Sequence, residues 1–350
     1  MLFSIEGDHG SMLSGYAVPD GFSGSPTIVV RNAGRDVLVR LADEPRLAIA
    51  AAGRHETGAV GFAIDEQAIP GLRQMEELEI YDAETELLLY RRRRPHHVGK
   101  QILRLESHLF PLWRLDATLN TRFQHSANQI ESHGLETATQ LFLLYGVQSS
   151  YLSGRIFFKS FRLFIDDKFD VVFVMHHPLE EFAERLIVLA QIKKSGSGVL
   201  GMRGNLSLGP AMEMAQSLPF HDERALARRL REMPNEIVQI FANPVARQLT
   251  TAAPDEKPSG RAVSMALDTL ASFALVGLRR APRLFNSALA EFVGIEAHEL
   301  PSITNFPGVT ALAQMLKRTR VVDALLEYDL EIYAHIANAY AKTEPAKAPG

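Results

Sequence analysis

Three short stretches gather the residue types that do chemistry: Glu106-Ser107-His108, Ser153-Gly154-Arg155 and His176-His177-Pro178. A carboxylate and an imidazole at i and i+2 of an extended chain point to the same side. Glu106 and His108 can therefore share acid–base work as catalytic residues, or stand as a satisfied surface pair. Ser153 supplies a hydroxyl, Gly154 permits close backbone approach, and Arg155 puts a permanent positive charge at the start of a predicted helix. That set suits an anion, or else a tight turn with Arg155 on a carboxylate. His176 and His177 stand where the apolar run "FDVVFVM" yields to an amphipathic helix with Pro178 at its first position. Free N–H groups and the helix dipole favour an anion at such a turn. Neutral imidazoles hold phosphate less firmly than an arginine fork, and Glu180 and Glu181 follow at once and would repel it. The two histidines read equally well as packing around the turn. No Ser-His-Asp set can be assigned from spacing, because such triads assemble from distant segments.

These turns need elements to place them. Residues 1–92 carry short Val-, Ile- and Leu-rich runs broken at intervals by Gly, Pro, Asn and Asp, with hairpin turns expected at "RNAGRD" and "YDAETE". An N-terminal β-sandwich or small barrel follows. "RRRRPHHVGK", 91–100, reads as the boundary, a solvated linker in which Arg91 to Arg94 repel one another and Pro95 stops the strand. From 100 onward strands ("KQILRLES", "VQSSYLSG", "FDVVFVM") alternate with helices ("FPLWRLDATLNTRFQHSANQIES", "LETATQLFLLYG", "RIFFKSFRLFIDDK", "PLEEFAERLIVLAQIKK"), the pattern of an α/β domain with a mostly parallel sheet. Ligands of such sheets sit beyond the carboxyl ends of the strands, where all three turns fall. Leu179, Phe182, Leu186 and Leu189 mark a core-facing helix stripe, with Glu181 and Arg185 pairing on the outside. "KKSGSGVLGMRGNLSLG" reads as a mobile lid or linker without a GxxxxGK[ST] phosphate loop. Residues 211–343 read as mostly helical, and 344–350 as a disordered tail.

Composition narrows the class. The chain has 350 residues, 46% hydrophobic and 22% charged, with a net charge of −4 and no cysteine. That length calls for at least two domains: a β-sandwich module at 1–92 and an α/β domain at 100–343. The acidic balance gives no basic face for nucleic acid. The lack of cysteine excludes disulfides and thiolate chemistry and fits a reducing compartment. His96 and His97 have no acidic or cysteine partner at ligand spacing, and no Asp-x-Asp metal motif appears, so no metal is expected. No apolar run reaches the ~20 residues of a spanning helix and no signal-peptide pattern opens the chain, so a cytoplasmic protein is expected.

"FDVVFVMHHPLEEFAERL", followed in order by "FANPVARQLTT", "LASFALVGL" with "LFNSALAEFVG", and "LEYDLEIYAHIANAY", resembles the carbohydrate sulfotransferases of the P-loop-like fold across roughly 100–340. The stretch from "GYAVPD" to "AVGFAID", within 12–92, separately looks similar to β modules of bacterial glycan-building enzymes. The first resemblance implies PAPS, or another nucleotide donor, as cofactor and a sugar hydroxyl as acceptor. It puts His176 and His177 in the turn that grips the donor's 3′-phosphate, Ser153 and Arg155 on donor or acceptor phosphate, and Glu106 or His108 as the base. The chain departs from the family in four places. His176 replaces the family's Arg, His177 its acid and Glu184 a Ser, while "ESHLFPLW" replaces the Lys/Arg-Ser/Thr-Gly loop that holds the 5′-phosphosulfate.

Two functions remain open. One is a sulfotransferase-like transferase of exopolysaccharide or capsule biosynthesis that moves a group from a nucleotide donor to a sugar. The other is a catalytically degenerate glycan-binding or scaffold subunit working with polysaccharide synthase subunits.

Overall fold

A computed structural model describes residues 1–195 and 200–343. The chain opens with β1 (Leu2–Asp8), β2 (Met12–Val18), β3 (Thr27–Asn32), β4 (Arg35–Leu41), β5 (Glu44–Pro45), the short helix α1 (Leu47–Ala51), β6 (Ala59–Asp65), β7 (Leu78–Asp82) and β8 (Leu88–Arg91). These strands form two four-stranded sheets, ordered β1-β2-β6-β5 and β4-β3-β7-β8, with antiparallel neighbours. Alternation selects the inward side chains: Leu13, Phe62 and Ile64 of one sheet and Ile28, Val30 and Ile80 of the other are fully buried. Both expected hairpin turns are present. Asn32 pairs with Arg35, leaving Ala33 and Gly34 at φ 48° and 74°, the left-handed pair that a two-residue turn demands. In the second turn the Asp82 carboxylate accepts from Thr85 N at 2.8 Å and Thr85 Oγ1 at 2.6 Å.

The arginine run is not the solvated linker expected. Arg91 is buried, 2.6 Å from Glu79 Oε1, and donates to the carbonyls of Asn120 and Phe123. Arg92 pairs with Asp8 at 2.8 Å and donates to the carbonyls of Leu72 and Met75; Arg94 meets Glu77 at 3.1 Å. Arg91, Arg92 and Arg94 each have their own acceptor, while Arg93 is exposed, so repulsion within the run is offset locally.

The second half runs β9 (Gln101–Leu105), α2 (Trp113–Asn120), β10 (His125–Ala127), α3 (Leu135–Phe142), β11 (Ser150–Gly154), α4 (Phe158–Ile165), β12 (Asp170–Met175), α5 (Pro178–Ser195), α6 (Gly201–Gln216), α7 (Glu223–Arg231), α8 (Asn235–Phe241), α9 (Pro244–Thr250), α10 (Ala262–Ala271), β13 (Leu275–Leu278), α11 (Pro282–Val293), α12 (Val309–Thr319) and α13 (Glu327–Thr343). β9 to β13 form a five-stranded parallel sheet ordered β10-β11-β9-β12-β13. The α/β class with N-terminal antiparallel sheets is therefore as expected.

Three local expectations fail. His125–Ala127, expected to be helical, is a strand paired with β11. Leu275–Leu278 is a strand inside a stretch read as helical, paired with Val172–Met175 of β12. Gly277 matters there, because an added Cβ would lie 2.2 Å from the Phe285 ring of α11. The glycine-rich stretch becomes helix α6 from Gly201, since Ala211 and Ala215 are buried with Leu208 and Met212 packed beside them, a helical stripe that outweighs weak propensity. Residues 196–199 of that stretch, and the expected tail 344–350, lie outside the described residues.

Contacts divide the chain into two compact units. The first holds Met1–Leu103, Asp116–Ser153 and Phe164–Phe169; the second holds Arg104–Leu115, Gly154–Leu163 and everything from Asp170 onward. Leu179, Phe182, Leu186 and Leu189 of α5 are core, as expected, packed with Phe241 of α8 and Val309, Leu312 and Leu316 of α12. Among the described residues no helix is long and apolar enough to cross a membrane.

Candidate functional site

Within the parallel sheet, β9 and β12 are neighbours. The chain leaves β9 for β10 on one side of it and leaves β12 for β13 on the other. The carboxyl ends of β9 and β12 thus flank a topological switch point, where open α/β sheets bind ligands. Glu106, Ser107 and His108 follow β9, and His176 and His177 follow β12. All belong to the second unit.

The turn after β9 is closed on its own carboxylate. Glu106 Oε1 accepts from the His108 amide at 3.0 Å and lies 2.5 Å from His108 Nδ1. Glu106 Oε2 accepts from Arg104 at 2.6 Å and from the Leu112 amide at 3.0 Å. Arg104, Glu106 and His108 are each at most 2% exposed. Burial would raise the Glu106 carboxyl, but Arg104 and then His108 hold it well below the usual carboxylate range. Two further side chains fix the turn: Gln248 of α9 donates to the Glu106 carbonyl at 2.7 Å, and Arg185 of α5 to the Ser107 carbonyl at 2.7 Å. Arg185 also pairs with Glu181 at 2.7 Å as its i,i+4 spacing predicts, but Glu181 is buried here, so the expected outside location is wrong.

His176 faces this turn. Its ring centre is 5.7 Å from that of His108, and its Nε2 is 3.1 Å from Asn305 Oδ1. Burial, then the neighbouring His108 and Arg279, push its imidazole down to about 2, so it is neutral at pH 7. His177 is turned elsewhere: Nδ1 accepts from the Leu179 amide at 3.3 Å and the ring meets Tyr333 edge-on. Burial lowers His177 as well, followed by Lys317 and Arg280.

The third turn contributes less. The Glu106 amide donates to the Gly154 carbonyl at 2.9 Å, so the turn that carries Arg155 adjoins that of Glu106. The Ser153 hydroxyl is committed to Asn128 Oδ1 at 3.1 Å. Arg155 does not open a helix, because α4 begins three residues later at Phe158. Glu106, His108 and His176 are therefore brought together, while Ser153 and His177 have other partners.

Spacing missed the residues between these turns. Arg279 follows β13, and its amide donates to the Met175 carbonyl at the end of β12. Its Nη1 lies 2.9 Å from Glu184 Oε2, an ion contact outside hydrogen-bond alignment, and its Nη2 donates to the Thr304 carbonyl at 2.8 Å. Burial pushes the Glu184 carboxyl up, opposed by His108 and Arg279. Both side chains line a cavity of about 210 Å³. One wall comes from Phe110 to Leu115, the other from Pro301 to Pro307, and Phe110 and Phe306 meet across it at 5.8 Å between ring centres. Trp113 stands at this wall half-exposed. The one early signal was Glu184 in place of a Ser; Arg279 gave none, since its strand read as helix. Among the described residues no His, Asp or Glu cluster could hold a metal ion. No family profile, characterised protein or solved structure matches the chain.

Proposed function

We propose that this protein is a sulfotransferase-like, catalytically degenerate member of a polysaccharide assembly pathway, which binds a glycan beside the ends of β9 and β12 and takes no nucleotide donor. One observation carries the reading: the turn after β9 has its own carboxylate where a donor phosphate would need cations and free amides. Glu106 already accepts from Arg104, His108 and the amides of His108 and Leu112. A second buried carboxylate, Glu184, replaces the Ser that the resemblance associates with the donor's 3′-phosphate, and the neutral His176 replaces the Arg. An incoming phosphate would meet the like charge of these two carboxylates. PAPS therefore does not fit this turn. Synthase subunits in the cytoplasm remain the partners this reading expects.

One feature favours the alternative, a transferase acting on a sugar hydroxyl. Glu106 and His108 lie 2.5 Å apart at the switch point, a pairing that orients an imidazole as a base. Calorimetry with PAPS, its desulfated product and nucleotide-sugars separates the two. The glycan-binding reading expects no heat at millimolar nucleotide. Saturable binding that is lost in Arg155→Ala with the fold retained would establish the transferase reading.

A further inference from the structure

The cavity over Glu184 and Arg279 has a floor whose polar atoms are not satisfied from within. Glu184 is 1% exposed and neither of its carboxylate oxygens has a hydrogen-bond partner; Arg279 is 7% exposed and its Nε and Nη1 have none. Buried groups in this state carry a desolvation cost unless something bonds them. Both line the cavity, so a ligand there can satisfy them.

The chemistry of that ligand follows from what faces it. The floor joins an acceptor and a donor 2.9 Å apart, with compensating charges. An anion would meet Glu184, and a cation would meet Arg279 and Arg114, whose guanidinium lies 5.2 Å over the Trp113 ring. Neutral His176 adds no charge through its link to Asn305 on the second wall. A hydroxyl both donates and accepts, so two neighbouring hydroxyls suit this pair. A volume of about 210 Å³ is below the usual range of drug-sized pockets, a size that suits one small polar ring better than a nucleotide. The half-exposed indole of Trp113, with the Arg114 guanidinium over its ring, adds apolar surface to the lining.

We infer that this cavity is a subsite for a single uncharged sugar residue, with Glu184 accepting from and Arg279 donating to its vicinal hydroxyls and Trp113 flanking the ring. This rests on the glycan-binding reading and adds the site and the charge class of the sugar.

Trp113 is the chain's one tryptophan, so its fluorescence reports the cavity directly. The full chain is titrated with methyl glycosides of neutral hexoses, and separately with inorganic phosphate and sulfate. Neutral glycosides are expected to give a saturable millimolar response that weakens tenfold or more in Glu184→Gln, while phosphate and sulfate give none. Saturation-transfer NMR on the unmodified chain covers the case in which the variant fails to fold. No response to neutral glycosides by either method up to about 100 mM overturns the inference, as does a saturable response to phosphate or sulfate alone. Glycoside binding by NMR that leaves both Trp113 and Glu184→Gln unaffected overturns this subsite while the glycan-binding reading stands. Nucleotide binding alongside a glycoside response at Trp113 overturns the donor-free reading and leaves the subsite in place.

Discussion

Glu106→Gln is the most informative single change. All four contacts of the carboxylate are with donors: Arg104 Nη1, His108 Nδ1 and the amides of His108 and Leu112. A glutamine keeps one acceptor oxygen and points an NH₂ at the remaining donors, so at least two are stranded. Arg104, only 2% exposed, then loses this counter-charge. Removing one partner of a buried pair costs about 3–5 kcal/mol, the range expected here, whereas replacing both by apolar residues costs far less. The measurement is urea unfolding followed by circular dichroism, read for more than one transition because the chain has two compact units. The pH dependence supplies a second signature. The folded carboxyl lies below the ordinary glutamate value of 4.5, so the unfolded chain takes up this proton first as pH falls. The contribution is complete above that value, is lost below it, and should vanish in the variant. A loss under about 1 kcal/mol, the size of one ordinary hydrogen bond, would refute the closed-turn argument.

Three further outcomes are expected. Gly277→Ala forces a Cβ to 2.2 Å from the Phe285 ring, an overpacked contact that should cost about 1–3 kcal/mol, read as a lower unfolding midpoint; an unchanged midpoint would show that α11 yields freely. The His176 ring, pushed down to about 2, should not titrate between pH 8 and 5 in nitrogen-15 NMR, while the unfolded chain gains that proton near 6.5, so its burial favours folding less as pH falls below 6.5. Asp329 runs the other way. Burial lifts it from 3.8 to about 7 against the amides of Ala246 and Val245, so the folded state binds the extra proton and stability falls as pH rises between those values. The deficit of Asp329→Asn against the unmodified chain should therefore shrink from pH 5 to pH 8, and a constant deficit would contradict the shift.

Much of the frame was legible because its signals are local. Alternation gave the N-terminal strands, and apolar runs ending in polar turns located the ends of β9, β11 and β12. Short elements carried no such signal. β10 has three residues and β13 four, too few to show a period, and β13 is a strand because β12 offers it an edge. Helix α6 hid behind glycines that its apolar stripe overrides. The site itself was half visible. Glu106 and His108 declare themselves by separation in sequence, but Arg279 and Asn305 reach the cavity from far along the chain, which no spacing rule detects.

The ownership of residues 116–153 by the first unit bears on how the protein can be cut. His125 of β10 bonds the Leu88 carbonyl at 2.9 Å, and Arg91 serves the carbonyls of Asn120 and Phe123. A truncation beginning at Lys100 discards those partners and leaves their mates orphaned, however natural the junction looks on paper. Recombinant dissection should therefore keep the amino-terminal module attached.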